Sequence, residues 1–117
     1  MQNILLLIIL LLQILVAQYD QKAYQEPGTG VISGEVIHTD TGAPIEYASV
    51  TLFNQESNDI ITGQLTDDRG LFVFQEISMG YYFIEINFMG IEPWKSEEFH
   101  ISKKNNRINI GRIELKN

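Results

Sequence analysis

Residues 61–74 read Ile-Thr-Gly-Gln-Leu-Thr-Asp-Asp-Arg-Gly-Leu-Phe-Val-Phe, and the punctuation of this stretch decides the fold class. Ile61, Gly63 and Leu65 alternate with Thr62, Gln64 and Thr66, the period-2 texture of a half-buried strand. Asp67-Asp68-Arg69-Gly70 breaks the run. Aspartate opens tight turns by bonding nearby backbone, and glycine supplies the positive φ that closes them. Leu71 to Phe74 resumes the strand texture at once, with Phe72 and Phe74 on one face. This spacing predicts a β-hairpin across Ile61 to Phe74, with Asp67, Asp68 and Gly70 as its structural turn.

The same texture extends in both directions. Downstream, Ser78-Met79-Gly80 is a turn, and Tyr82, Ile84, Ile86 and Phe88 alternate with Phe83, Glu85 and Asn87 in the longest period-2 run of the chain. Met89-Gly90-Ile91-Glu92-Pro93 interrupts it, and Trp94 to Ile101 reads as a sixth strand. After the charged turn Lys103 to Arg107, Ile108 and Ile110 share one parity while Ile113 and Leu115 take the other. A bulge at Gly111 returns all four to the core. Upstream, Val31 to His38 places Ile32, Gly34 and Val36 on one face. A turn over Thr39 to Pro44 follows, with Pro44 unsuited to a central ladder position. Ala48, Val50 and Leu52 alternate in the next strand, and Gln55 to Asp59 is a polar loop. No segment past the N-terminal run has a 3.6-residue period. Seven strands and no helix predict an all-β sandwich with Val36, Val50, Leu52, Phe72, Phe74, Tyr82, Ile84 and Ile86 in its core.

The first residues are of another kind. Ile4 to Leu12 is unbroken aliphatic sequence, and Ile14 to Val16 continues it after Gln13. Such a run has the length of a signal-peptide apolar region and falls short of the ~20 residues of a spanning helix. We expect a hydrophobic signal helix over residues 1–17, cleaved after Ala17, although no Lys or Arg precedes the run and Leu15 is large for its position. A retained anchor and a buried hydrophobic helix are the alternatives. Residues 18–30 (QYDQKAYQEPGTG) form a polar, flexible leader, and the sandwich occupies 31–117. The chain has no cysteine, which excludes disulfides, thiolate metal sites, a cysteine nucleophile and a lipoprotein anchor. For an exported domain that points to a bacterial-style envelope protein.

Net charge is −7 and unevenly spread. Residues 1–100 carry three basic and fourteen acidic side chains, whereas 101–117 carry five basic against Glu114 alone. The acidic bulk argues against nucleic acid, having no basic face to meet phosphate. The basic tail reads as a solvated turn and edge strand, where lysines discourage edge-to-edge pairing.

Ile32-Ser33-Gly34-Glu35-Val36, Asp40-Thr41-Gly42-Ala43-Pro44-Ile45 and Tyr47-Ala48-Ser49-Val50-Thr51-Leu52 together resemble the opening of a carboxypeptidase regulatory-like domain. Thr66 to Phe74 resembles the same family's central hairpin. Met79-Gly80-Tyr81-Tyr82 and Phe88-Met89-Gly90-Ile91-Glu92 resemble its segment of small turn, aromatic strand and glycine. Each motif is weak alone; five in order over Val31 to Leu115 are specific. The resemblance implies a transthyretin-like (prealbumin-like) sandwich of seven antiparallel strands in a Greek key, without catalytic role. In bacterial envelope proteins such domains precede outer-membrane β-barrels, including TonB-dependent receptors. This chain stops at Asn117 with no barrel, so it is either free-standing or part of a truncated or split frame.

Chemistry-bearing constellations are sparse. Asp67 and Asp68, with Asp59 and Glu76 nearby, lack the alternating donors of a calcium loop. His38 and His100 lie in different strands without a third ligand for zinc. There is no nucleophile elbow and no phosphate-cradling glycine loop. The Tyr-Arg-Gly-Ser tail of hydroxyisourate hydrolases, the two-Tyr, two-His set of intradiol dioxygenases and the early buried Lys of isopeptide sandwiches are all missing. No catalytic, cofactor-binding or metal residue is therefore assigned and no cofactor is expected. Tyr81, Phe83 and Trp94 remain as possible exposed aromatics for stacking sugar rings. The expected function is a non-catalytic accessory module, exported to the periplasm, outer membrane or cell surface. It meets an envelope protein or β-barrel by adding a strand at a sheet edge. A small carbohydrate-binding module, taking polysaccharide, is the alternative, and a hydrolase a remote third.

Overall fold

The computed structural model describes residues 1–23 and 28–116, with backbone alone for 17–23; residues 24–27 of the expected leader and Asn117 lie outside the described residues. One helix and eight strands follow in order: α1 (Gln2–Ala23), β1 (Gly30–His38), β2 (Ser49–Asn54), β3 (Ile60–Leu65), β4 (Leu71–Ile77), β5 (Gly80–Asn87), β6 (Trp94–Lys95), β7 (Phe99–Ile101) and β8 (Arg107–Leu115). Helix α1 continues to Ala23, past the expected boundary at residue 17 and into the segment read as leader. Every large aliphatic side chain from Ile4 to Val16 is exposed. At ~1.5 Å rise per residue this apolar stretch is about 20 Å long, against a hydrocarbon core of ~30 Å. Among the described residues no helix is long and apolar enough to cross a membrane.

The strands form a two-layer sandwich. One sheet has three strands in the order β4-β1-β8, and the other runs β3-β2-β5-β6 with β7 also paired to β5. Alternation decides what lies between them. Ile32 and Val36 of β1, Phe72 and Phe74 of β4, and Ile113 and Leu115 of β8 face Val50 and Leu52 of β2 and Tyr82, Ile84 and Ile86 of β5 in one buried cluster. The eight core residues named from the sequence are all buried.

The structure corrects three sequence expectations. First, Ile61 to Phe74 is not a hairpin: β3 pairs with β2 and β4 pairs with β1, so the Asp67–Gly70 turn carries the chain from one sheet to the other. The turn chemistry itself is as expected. Asp67 Oδ1 accepts the N–H groups of Arg69 and Leu71, both at 2.9 Å, and Gly70 adopts φ +74°. What parts the strands is the Gly70 carbonyl, which accepts Val36 N–H at 2.7 Å and begins the ladder to β1.

Second, the expected sixth strand is two, giving eight strands in place of seven. Ser96 N–H bonds Ile84 O, while Ser96 Oγ accepts Ile84 N–H and donates to Glu97 O. The hydroxyl stands where a ladder acceptor belongs, and the register gains one residue before Phe99 meets Tyr82. That is a bulge. Third, the strands are not all antiparallel, since β1 and β8 run parallel. A parallel pair needs a long crossover, which β2 to β7 supply. The bulge at Gly111 is present. Between Ser33 and Glu35 the partner strand advances from Asn109 to Arg112, and Gly111 sits at φ +88°. Ile113 and Leu115 are buried, and Ile108 and Ile110 pack partly against the core.

Candidate interaction surface

The outer face of the five-stranded sheet is built by residues of the parity opposite to the core. Since Val50, Leu52, Ile84 and Ile86 point inward, Phe53, Tyr81 and Phe83 must point out. Phe53 lies opposite Phe83 across β2 and β5, and their rings stack at 4.9 Å between centroids and 5° between planes. Lys95 Nζ sits 4.3 Å from the centre of the Phe83 ring, a cation–π geometry. Tyr81 stacks on His100 of β7 at 4.1 Å and 5°.

These contacts separate the three aromatics named from the sequence. Phe83 is 5% exposed despite its outward parity, covered by Phe53 and Lys95. Tyr81 is exposed on that same face. Trp94 pairs with Ile86 and packs half-buried against the core, on the opposite side of the sheet. Phe53, Lys95 and His100 were missed as partners. Phe53 was findable, because it shares parity with Ser49 and Thr51 in a strand whose other face is Val50 and Leu52.

Beside this face lies the feature that sets the surface apart. β3 is the terminal strand of its sheet, and Ile60, Ile61 and Leu65 are 66%, 45% and 57% exposed. The expected half-buried third strand is therefore exposed on both faces. Ile60 and Leu65 stand opposite Phe53 and Ser49, on the outer side. On the inner side Gln64 is exposed, and its Oε1 accepts Val73 N–H at 2.8 Å. This bond stoppers the free edge of β4. The free edge of β3 has no such stopper among the described residues.

The other candidates are structural. Asp67 is occupied by its turn, and Asp68 is exposed beside it. A Cβ on Gly70 would lie 2.3 Å from Val36 O, so glycine is required there for space as well as for φ. His38 meets Phe88 edge-on at 6.3 Å, in the other sheet from His100. A shallow depression of about 420 Å3 lies over Gly34 and Phe72, bordered by Glu35 and Arg112, whose ion pair is 3.8 Å long. Among the described residues no group of three or more His, Asp or Glu is placed to hold a metal.

The bulge at Gly111 and the bonds of the Asp67 turn agree with the motifs read in the sequence, and the carboxypeptidase regulatory-like domain family matches residues 31–114. The chain belongs to this family. A comparison with curated proteins gives no match. Among solved structures, this carboxypeptidase regulatory-like domain is similar to the major pilin subunit of Bacillus cereus, with TM-score 0.58 and 17% identity over 77% of this chain and 30% of that one. It is similar also to 5-hydroxyisourate hydrolase of Klebsiella pneumoniae, with TM-score 0.58 and 14% identity over 80% of this chain and 93% of that one. The pilus adhesin of Streptococcus pneumoniae gives TM-score 0.51 and 18% identity over 68% and 12%. The chain thus spans about a third of the pilin and about an eighth of the adhesin. At these identities the likeness is one of fold.

Proposed function

We propose that this carboxypeptidase regulatory-like domain is a non-catalytic module of an exported envelope protein, which docks a partner protein by adding the partner's strand to β3. The observation that carries this reading is the contrast between two neighbouring edges. Gln64 closes the edge of β4, while β3 presents uncapped backbone flanked by exposed Ile60, Ile61 and Leu65. Proteins blunt edge strands with charge, proline or bulges because open edges recruit other strands. Residues 60–65 contain neither charge nor proline, and the register shift of β3, at Ile61, lies at its start, clear of Gly63 and Leu65. Added-strand contacts draw affinity from main-chain bonds and specificity from alternate side chains.

Export is supported by α1, whose aliphatic run has the length of a signal segment and finds no cover. A place at the periplasmic side of an outer-membrane β-barrel is the setting this reading favours. The non-catalytic assignment is supported by the match of residues 31–114 to the carboxypeptidase regulatory-like domain family. A sugar platform finds less support, since Trp94 is on the core side and Phe83 is covered.

The test is site-specific photo-crosslinking in the producing cell, with the reactive group placed in turn at Leu65, Tyr81 and Arg112. Adducts from Leu65 alone, in the envelope fraction, are expected. Adducts confined to Tyr81, or retention on polysaccharide, would replace strand addition by the carbohydrate reading.

A further inference from the structure

The ladder of β3 has a readable phase. Thr66 N–H bonds Ala48 O at 2.9 Å, and in an antiparallel pair such bonds alternate. Gln64 and Thr62, in register with Val50 and Leu52, therefore turn their N–H groups toward β2. Leu65 and Gly63 turn theirs outward, to the free edge. Gly63 is exposed, and a Cβ built on it would meet nothing nearer than 3.6 Å.

Charge is arranged around that edge at its ends only. Residues 60–65 are uncharged, as is β2 beside them, whereas Glu56 and Asp59 precede the strand and Asp67 and Asp68 follow it, all exposed. Residues 46–70 hold five acidic side chains and one basic, Arg69. At ~3.4 Å per residue, Asp59 and Asp67 stand about 27 Å apart along the strand. A second copy pairing β3 antiparallel to β3 sets Asp59 of one chain beside Asp67 and Asp68 of the other. Like charges placed opposite in this way are destabilising.

We propose that the strand received by β3 is an extended segment of another protein with basic residues at both ends of an uncharged centre of alternating apolar residues. This rests on the reading of β3 as the docking edge. The centre meets the outward N–H groups of Gly63 and Leu65 and the side chains of Ile60 and Leu65. The ends meet the Glu56–Asp59 and Asp67–Asp68 pairs, which fix register and exclude acidic competitors.

The experiment titrates the full chain with a peptide of alternating valine and threonine carrying paired lysines at each end, and with the same peptide ended in glutamates. Binding is read by amide hydrogen exchange and by affinity at low and high salt. The lysine-ended peptide is expected to protect Gly63 and Leu65 and to lose about tenfold in affinity as salt rises from roughly 0.05 to 0.5 M. The glutamate-ended peptide is expected not to bind. Asp59→Lys with Asp68→Lys should abolish the preference, since each end then pairs one carboxylate with one ammonium, and neither side chain is used by the turn or loop bonds. Gly63→Pro should abolish binding, because an edge proline is tolerated but donates no bond.

Equal binding of both peptides, abolished by Gly63→Pro, overturns the charge inference and leaves β3 as the docking edge. Binding indifferent to Gly63→Pro, or protection confined to β6 and β7, overturns both readings. Failure of both peptides to bind overturns the inference. So does concentration-dependent dimerisation that protects Gly63 without peptide, which would make a second copy the occupant.

Discussion

Thr66 is the one buried polar residue among the described side chains, at 2% exposure, and substituting it tests how the two sheets are tied together. Its Oγ1 donates to Ile45 O at 2.6 Å and accepts Ala48 N–H at 2.9 Å. One hydroxyl thus serves both backbone groups of the segment that brings the chain from β1 to β2. Thr66→Val keeps the shape and removes both bonds. Each buried backbone group left unpaired costs about 1–3 kcal/mol, and the added methyl recovers part of that, so a net loss of about 2–4 kcal/mol is expected. Thr66→Ser keeps both bonds and loses a methyl, about 1 kcal/mol. In urea, with a slope of about 1 kcal/mol/M for a small domain, the midpoint should fall by roughly 2–4 M for valine and ~1 M for serine. The reasoning is refuted if valine lies within about 0.5 kcal/mol of wild type, or if serine costs as much as valine.

The remaining predictions concern the core, the turn and pH. Phe72→Ser and Ile84→Asp each put a polar group at the centre of the sandwich. Losses of at least about 3 kcal/mol should unfold the domain at 37 °C or bring it near unfolding; a thermal melt close to wild type would refute the core assignment. Asp67→Ala should cost about 1–2 kcal/mol through its two turn bonds, whereas Asp68→Ala should be near neutral, and equal effects in chemical denaturation would contradict the turn geometry. Tyr82 is held above the ordinary phenol value of 10.0 because burial disfavours the phenolate. The folded state therefore holds its proton where the unfolded state releases it, and stability should be full below pH 10 and fall as pH rises above it. Tyr82→Phe should flatten that alkaline limb while losing the 2.7 Å bond to Ser78 O; an unchanged limb in the variant would show that other groups govern it.

How much of this was legible in the sequence follows from what period-2 patterns encode. Alternation names the two faces of a strand, so Val36, Val50, Leu52, Phe72, Phe74, Tyr82, Ile84 and Ile86 could be placed in the core without knowing any pairing. The parity break at Gly111 encoded a bulge for the same reason. Pairing partners are another matter. Asp67 to Gly70 specifies a local reversal, and its bonds form as the residue types require. Which sheet receives β4 is decided by Val36 N–H, thirty-four residues earlier in the chain than Gly70. No local pattern carries that choice, so a hairpin and an inter-sheet arch read alike. The break at Ser96 was hidden for a related reason: a serine is an ordinary strand residue until its hydroxyl finds the Ile84 amide.

The surface was harder to read because alternation labels a face without saying what lies over it. Phe83 falls on the outward parity, yet Phe53 and Lys95 bury it; Trp94 begins a strand that looks solvent-facing, yet its register with Ile86 turns it to the core. In β3 the inference failed in the other direction. Ile61 and Leu65 alternate like core residues but belong to a terminal strand with both faces open. Apolar side chains on an exposed edge cost solubility and invite mispairing, and the same domain blocks its β4 edge with Gln64. A chain that protects one edge and leaves its neighbour open, uncharged along six residues and acidic at both ends, has the features of an edge kept for a particular strand. That contrast, invisible to periodicity and plain once the sheets are assembled, is why β3 rather than the aromatic face carries the functional reading.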